Sequence, residues 1–217
     1  MSLTFLILFL KLLEAKKFLV SQPGFLKPFE FNCLLEAAAL DHYEDIARKG
    51  LTTHKSSNGK DTYKDRIERH AKWGGSIFEA ILYGVKRPTA RDIVLAWVID
   101  DGFESRCHRK NIFFPDHKQF AIACGPHSST DFCVIALFGA QILPLDLEQV
   151  DPEKEAQEFK KSFLQEKDWT KFSRDVFDLQ NKIRSNPKAF IPYLEKCLGR
   201  FKGKTLYSED SKSYILT

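Results

Sequence analysis

The sequence of 217 residues lacks the features that mark several large classes of protein. Glycine (11 residues) and proline (9 residues) occur at ordinary counts, which excludes a collagen-like or low-complexity fibre. No Cys-x-x-Cys motif is present, so neither a zinc ribbon nor a thioredoxin-type site is expected. No apolar run approaches the roughly 20 residues that span a bilayer. With 43% hydrophobic residues, the chain is also too apolar to be disordered.

The chain has little excess charge of either sign. It contains 33 Lys and Arg residues against 29 Asp and Glu residues, a formal net charge of +4. Residues 151–217 hold 14 of the basic and 11 of the acidic residues, so neither part is a charged tail. Because nucleic-acid-binding proteins usually carry a basic stripe, no nucleic-acid partner is expected.

The amino terminus contains one short apolar run, residues 1–10. Its length suits the hydrophobic region of a signal peptide, but no basic residue precedes it and no small-residue cleavage site clearly follows. We therefore interpret residues 1–10 as either a weak signal-like segment or an extra apolar helix. No transmembrane segment is predicted.

Helical patterns dominate the first hundred residues. Apolar spacing predicts a helix over residues 3–20, with a face formed by Leu3, Leu6, Leu10, Leu13 and Phe18. Asn32 and Thr89 are the predicted N-caps of two further helices. A short helix is predicted over residues 65–72, and Gly74-Gly75 predicts a break in the chain after it.

The second half of the chain combines strands and helices. Residues 119–124 and 132–138 are apolar and β-branched and predict a hairpin. Residues 142–173 are charged and predict a linker helix, and amphipathic helices are predicted beyond it. This order of helices, hairpin and helices indicates an α+β fold or a three-layer α-β-α arrangement.

The cysteine count is odd, so at least one thiol has no partner within the chain. The five residues are Cys33, Cys107, Cys124, Cys133 and Cys197. Cys124 and Cys133 lie at the turn-proximal ends of the predicted hairpin, where the Cα separation limit for a disulfide is easily met. They form either a disulfide or two buried thiols.

Two histidines and two acids are the best candidates for a functional site. His54 lies in a polar loop, and His108 lies between a helix and a strand. Glu79 stands inside an apolar stretch, and Asp100 is near the end of the predicted helix that contains Trp97. An acid in an apolar run is either wrongly placed or buried with a partner. Brought together, these residues would suit Zn²⁺ or another divalent metal; otherwise the histidines belong to the core or the surface.

The stretch from Thr89 to Asp116, which contains Ser105-Arg-Cys-His-Arg-Lys-Asn-Ile-Phe113, resembles a known family signature. Together with residues 119–127, it resembles the CAP superfamily of cysteine-rich secretory proteins, antigen 5 and plant pathogenesis-related proteins. The resemblance is to the single-domain SCP-like extracellular branch of bacteria and protists, whose signature is Ser-x-x-His-Arg-x-Asn-Ile-(Leu/Phe)-x-Pro-Asp. It implies a three-layer α-β-α sandwich with a cleft lined by two histidines and two acids.

The resemblance assigns the four candidates to that cleft. His54 and His108 correspond to the two family histidines, Glu79 to the acid of the Gly-Glu-Asn motif, and Asp100 to the acid of Trp-x-x-Glu. The chain departs from the pattern around both acids. Phe and Ala flank Glu79 in place of Gly and Asn, and Asp100 is one methylene shorter than Glu, with Asp101 competing for its role.

The family-like segments occur in rotated order. The pattern Asn-x-Ile-Arg-x-Asn-Pro-x-x-Phe, which opens the family domain, stands here at residues 181–190. Residues 11–141 resemble the later part of the domain and residues 174–217 its beginning. The chain is therefore either a circular permutant joined through residues 142–173 or a slice of a tandem array. Residues 174–217 either dock on residues 11–141 or begin a second domain, and a domain-swapped homodimer is the intermolecular form of that docking.

The resemblance implies a secreted binding module rather than a defined enzyme. Its cleft would hold a divalent metal, with His54 and His108 as ligands, or a small ligand such as a lipid or sterol. The alternative is a metal-dependent hydrolase, in which Glu79 or Asp100 acts as the general base toward metal-bound water. A third interpretation is an inactive fragment.

Overall fold

The computed structural model of the chain describes residues 3–24, 26–84, 88–100, 104–145, 167–202, 205–207 and 213–215. It divides into two compact units. Unit 1 comprises Met1–Pro28, Gly84–Pro115 and Asp178–Thr217, and unit 2 comprises Phe29–Tyr83 and Asp116–Phe177. Each unit is therefore assembled from stretches that are separated in the sequence.

Helices and strands are interspersed along the chain. The helices are α1 (Leu3–Ser21), α2 (Cys33–Ala47), α3 (Tyr63–Glu68), α4 (Ala90–Ile99), α5 (Cys107–Ile112), α6 (Lys167–Ser185), the 3₁₀ helix Pro187–Phe190 and α7 (Ile191–Arg200). The strands are β1 (Glu30–Phe31), β2 (Ala71–Gly84), β3 (Gln119–His127), β4 (Asp131–Pro144), β5 (Phe201–Lys202), β6 (Thr205–Tyr207) and β7 (Ser213–Ile215). The predicted caps Asn32 and Thr89 are confirmed, since each side chain accepts a main-chain N–H of the helix that it opens.

Unit 2 is built on a four-stranded sheet in the order β1-β3-β4-β2. Strands β3 and β4 form an antiparallel hairpin that pairs Gln119 with Gly139 and His127 with Asp131. The predicted hairpin is confirmed, although both strands extend further toward the turn than their apolar cores suggested. The short β1 lies parallel to β3.

Helices cover both faces of this sheet. Helix α2 packs on one face, where the core consists of Leu35, Ala38, Ala39, Ile46, Ile67, Ala71, Ala121, Ala123, Ile135, Leu137 and Ile142. The opposite face is aromatic, and Phe177 of α6 packs there with its ring centroid 5.8 Å from that of Phe120. The α-β-α sandwich that the sequence predicts is confirmed.

Unit 1 contains a helical core around α1. Helix α1 contacts α4, the 3₁₀ helix and α7. The predicted helix is confirmed, but its buried face is formed by Leu12, Ala15 and Leu19, whereas Leu10 is 54% exposed. The apolar residues of α1 surround the helix, so their spacing alone does not select the face that packs. In the carboxyl-terminal stretch, β5, β6 and β7 form a three-stranded sheet.

Strand β2 corrects the prediction of a break at Gly74-Gly75. The helix predicted over residues 65–72 occupies Tyr63–Glu68, and β2 begins directly afterwards and continues through both glycines. Gly75 has a φ of +72°, a conformation that glycine adopts without steric cost. A glycine inside a strand can thus mark a local distortion rather than the end of the strand.

The predicted Cys124–Cys133 disulfide is absent. All five cysteines lie in the described part of the chain, and none of them is in a disulfide. In the hairpin Cys124 is opposite Val134, whereas Cys133 is opposite Gly125. This offset of one residue places the two thiols on opposite faces of the sheet, because side chains alternate along a strand. Cys124 Sγ lies 3.0 Å from Ser173 Oγ, and burial raises the pKa of the Cys133 thiol to about 12.

Two of the predictions fall on residues outside the described part of the chain. Residues 146–166 of the predicted linker helix and the alternative acid Asp101 lie there. Within the described residues, β4 covers the start of the predicted linker and α6 begins near its end. None of the helices described is both long enough and apolar enough to cross a bilayer.

Candidate functional site

The first predicted His–acid pair is formed within unit 2. His54 Nδ1 lies 2.9 Å from Glu79 Oε1, and the second oxygen, Oε2, accepts a hydrogen bond of 2.5 Å from Arg66 Nη2. The side chains of Glu79 and Arg66 are fully buried, whereas the His54 side chain is 57% exposed. A buried ion pair therefore holds a histidine that remains accessible to solvent.

The alternation of β2 explains why Glu79 is buried. Ile77, Ile81 and Tyr83 pack against the core next to α2, and Glu79 belongs to the same alternating set. Phe78 lies on the other side of the strand, where its ring packs near Phe138. The acid in the apolar run is thus buried with a basic partner, one of the two outcomes that the sequence allowed.

Arg66 connects Glu79 to the loop that carries His54. It lies on α3, a helix that a capping box of Thr62 and Asp65 opens. Its guanidinium donates hydrogen bonds to the His54 carbonyl oxygen at 3.2 Å and to Ser56 Oγ at 3.3 Å. One buried cation consequently fixes both members of the pair.

Further hydrogen bonds hold this loop on either side of His54. His42 Nε2 lies 2.9 Å from the Thr53 carbonyl oxygen. Asp45 accepts hydrogen bonds from the main-chain N–H of Ser57 at 2.6 Å and from Lys49 Nζ at 2.6 Å. Burial alone raises the pKa of Asp45, but these hydrogen bonds outweigh that effect and lower it to about 2. The loop is therefore anchored to α2 by a carboxylate that stays ionised at neutral pH.

The second predicted pair is formed within unit 1. His108 Nδ1 lies 2.7 Å from Asp100 Oδ1, and Asp100 Oδ2 accepts the main-chain N–H of Arg109 at 3.1 Å. The His108 side chain is 8% exposed and that of Asp100 is fully buried. Asp100 ends α4 with a φ of +53°, a left-handed conformation that aspartate adopts more readily than most residues.

Two arginines and one acid surround the second pair. Arg106 Nη1 donates to the Asp100 carbonyl oxygen at 2.9 Å and its Nη2 to Glu14 at 2.9 Å. Arg109 Nη1 reaches the same carboxylate at 3.2 Å. The hydrogen bond from Arg106 is the main reason why the pKa of Glu14 is lowered. Glu14 of helix α1 is therefore connected to Asp100 and to the residues on either side of His108 through the charge-assisted hydrogen bonds of the two arginines.

Each pair sets the chemistry of its histidine. A carboxylate only accepts hydrogen bonds, so Nδ1 of the paired ring carries the proton and the lone pair of the neutral ring is on Nε2. This arrangement of carboxylate and histidine is the one that supports metal-bound imidazoles. The donors thus fit zinc chemically. However, the described residues contain no group of three or more His, Cys, Asp or Glu side chains that could hold a metal ion.

The structure therefore forms both His–acid pairs, one in each unit. Whether the four residues line one cleft stays a prediction from the family resemblance. The four remaining histidines agree with a structural interpretation. His42 and His127 each bond a main-chain carbonyl oxygen, His70 pairs with Asp41 at 2.9 Å, and His117 stacks on Phe138.

Sequence patterns did not identify the residues that support the pairs. No role follows from the sequence for Arg66, Arg109 or Asp45. The one available signal was a basic residue next to the apolar Ile67 in a short helix. A cation at such a position is buried only when a carboxylate from another element faces it, and sequence spacing does not reveal that partner.

Comparisons with known proteins identify the family. No curated protein matches the chain. Among solved structures, an outer surface protein from Borrelia burgdorferi is similar, with 20% identity, a TM-score of 0.44 and coverage of 64% of this chain and 92% of that chain. The family model described as "Cysteine-rich secretory protein family" (CAP) matches residues 25–138, which is more than half of the chain and includes both His–acid pairs. The chain belongs to the CAP family of cysteine-rich secretory proteins.

Proposed function

We propose that this CAP-domain protein is a secreted binding module in which the Nε2 lone pair of His54 binds a divalent metal ion or a small ligand. The observation that carries the proposal is the His54–Glu79 pair: Nδ1 is held by a buried carboxylate while the ring is 57% exposed. Its Nε2 is therefore presented as a lone-pair donor on an accessible surface. The extracellular location is proposed from the family, whose members are typically secreted.

His108 is the second proposed donor. Asp100 holds its Nδ1 in the same way, but the ring is 8% exposed. Neutral imidazole nitrogen is a preferred zinc donor, and water or a ligand would supply the remaining coordination positions. A lipid or sterol remains an alternative ligand proposed only from the family.

The alternative of a metal-dependent hydrolase has less support. A general base must have an oxygen that can reach a substrate or water proton. Both oxygens of Glu79 accept hydrogen bonds from His54 and Arg66, and both oxygens of Asp100 accept them from His108 and Arg109. These carboxylates therefore orient histidines better than they would accept a proton.

Zinc titration of the full chain tests the proposal. Binding to imidazole nitrogen should release protons and raise the melting temperature, and His54→Ala should lose both effects. His70→Ala is the matched control, because His70 also pairs with a carboxylate, that of Asp41, but through Nε2, at 2.9 Å, so the nitrogen that is proposed to bind in His54 is occupied in His70. A parent protein that shows neither response to zinc would contradict the metal proposal.

The stoichiometry of the same titration tests whether the two histidines act together. If one ion uses both, His54→Ala and His108→Ala should each abolish binding of a single zinc equivalent. If His54 acts alone, His108→Ala should retain that equivalent. Hydrolysis of an ester or peptide panel that disappears in Glu79→Gln would favour the hydrolase instead.

A further inference from the structure

The carboxyl-terminal stretch contributes an integral part of unit 1. Residues 178–217 belong to this unit together with residues 1–28 and 84–115. The 3₁₀ helix and α7 both contact α1, although more than 150 residues separate them in the sequence. The unit is therefore completed by chain from the far end of the sequence.

Arg184 is the polar centre of this arrangement. Its side chain is buried, at 1% exposure. Nε donates to the Lys27 carbonyl oxygen at 2.7 Å, and Nη1 donates to those of Ile112 at 2.5 Å and Phe114 at 3.1 Å. Lys27 belongs to the first stretch of unit 1, while Ile112 and Phe114 belong to the second. A single guanidinium thus joins all three stretches.

These hydrogen bonds require a specific side chain. Burial lowers the pKa of Arg184 to about 10, so the side chain remains cationic at neutral pH. A planar guanidinium offers several fixed donors at once, whereas a lysine ammonium offers a single point charge. Loss of the side chain would leave the carbonyl oxygen of the buried Ile112 without this donor, which is unfavourable in a water-excluded position.

Apolar and charged contacts surround Arg184. The stretch buries the side chains Ile183, Phe190, Leu194 and Cys197. At the edge, Lys16 Nζ forms an ion pair of 2.6 Å with Glu195, and the Arg91 guanidinium lies 4.4 Å from the centre of the Tyr193 ring. Apolar burial, a buried polar anchor, and an ion pair and a cation–π contact at the edge are the components of a specific interface.

We propose that residues 178–200 are a docking segment, which unit 1 binds through a surface on α1, α4 and the end of α5. Arg184 is the residue of the segment that contributes most to this binding. The segment and its acceptor surface recognise each other non-covalently, so the peptide connection through residues 146–166 is not needed once docking has occurred. The occupant of the surface is the chain's own segment. Of the two alternatives for the carboxyl-terminal residues, the proposal selects docking over the beginning of a second domain.

Cleavage of the folded full-length chain tests this proposal. A recognition sequence for a site-specific protease is inserted between Lys154 and Glu155, and the purified protein is cut under native conditions. We expect the two pieces to co-elute at the size of the uncut monomer and to separate only in denaturant. Separate elution of the two pieces under native conditions would overturn the proposal. An uncut protein that elutes as a dimer, and whose cleavage gives complexes of pieces from two copies, would also overturn it. In that case a second copy would supply the segment.

Two variants of the cleavable chain define the role of Arg184. Arg184→Met should raise the dissociation constant of the cut pieces at least tenfold. Lys182→Met is the matched control, since it removes a cation from an exposed position of the same helix and should leave co-elution unchanged. If Arg184→Met does not fold, Arg184→Lys serves instead and should weaken association in the same direction. Equal dissociation constants for the parent and both Arg184 variants would remove Arg184 from the proposal.

Discussion

The His54–Glu79 and His108–Asp100 pairs have the same hydrogen bond but different support. In unit 2 the carboxylate is neutralised by a fully buried guanidinium, and its histidine is largely exposed. In unit 1 the carboxylate is held by a main-chain N–H at the start of a short helix, and its histidine is nearly buried. The comparison indicates that the first pair exposes its donor nitrogen but contains a buried charge that depends on Arg66.

The largest expected effect comes from removing that buried cation. Arg66→Met leaves the Glu79 carboxylate without its countercharge, which should lower the free energy of unfolding by about 3–5 kcal/mol. Urea unfolding of the parent and the variant measures the difference. Arg69→Met is the control, because Arg69 is a surface arginine and its loss should lower the unfolding free energy by less than about 1 kcal/mol.

A double variant sharpens this result. Arg66→Met combined with Glu79→Gln removes both charges, so its destabilisation should be smaller than the sum of the two single variants. If Arg66→Met is no more destabilising than Arg69→Met, the buried ion pair does not support unit 2 as described.

Glu36 shows what a buried acid does without a basic partner. It is 3% exposed, and among the described residues its Oε2 has no hydrogen-bond partner. Desolvation raises its pKa from 4.5 to about 8. The folded protein therefore keeps a proton that the unfolded chain releases near pH 4.5, so this contribution to stability is complete below pH 4.5 and is lost as the pH rises to about 8.

The measurement is the unfolding free energy of the parent and of Glu36→Gln at pH 5 and pH 8. The parent should lose about 3 kcal/mol more than the variant over this range, because glutamine does not titrate. Parallel pH profiles for the two proteins would show that Glu36 ionises normally and would remove the contrast with Glu79.

The smallest expected effect concerns the second pair. Asp100→Asn keeps the left-handed conformation and one acceptor for the Arg109 N–H but loses the charge that faces His108. Unfolding should become about 1–3 kcal/mol easier, which is less than for Arg66→Met. Asp178→Asn, at an exposed position of unit 1, is the control. A loss of unfolding free energy larger than that of Arg66→Met would contradict this account, because the second pair would then depend more on its charge than the first.

The elements and the candidate residues could be predicted from the sequence to different extents. Local signals predicted the helix caps at Asn32 and Thr89 and the β3–β4 hairpin, because caps and strand alternation depend on neighbouring residues. The predicted buried face of α1 was wrong at Leu10, because the face that packs depends on partners from distant stretches of the chain. The prediction of a disulfide between Cys124 and Cys133 was wrong. The pairing register, and not the separation of the two cysteines in the sequence, decides which face of the sheet each thiol occupies.

The site shows the same division. The resemblance to the CAP family selected His54, Glu79, Asp100 and His108, and the structure pairs them two by two. It did not reveal Arg66, because the burial of a cation is determined by the element that packs against it. A motif therefore identifies the residues that carry the chemistry, whereas the residues that orient them become visible only in three dimensions.

Nitrogen NMR of the imidazole rings tests the central claim most directly. The claim is that Glu79, held by Arg66, fixes the proton of His54 on Nδ1 and so leaves the lone pair on Nε2 for a ligand. In the ¹⁵N-labelled full chain, recorded where the imidazole rings are neutral, His54 should carry its proton on Nδ1. Added zinc should shift its Nε2 resonance while that of His70 is unchanged. A proton on Nε2 of His54, or spectra that zinc leaves unaltered, would contradict the account.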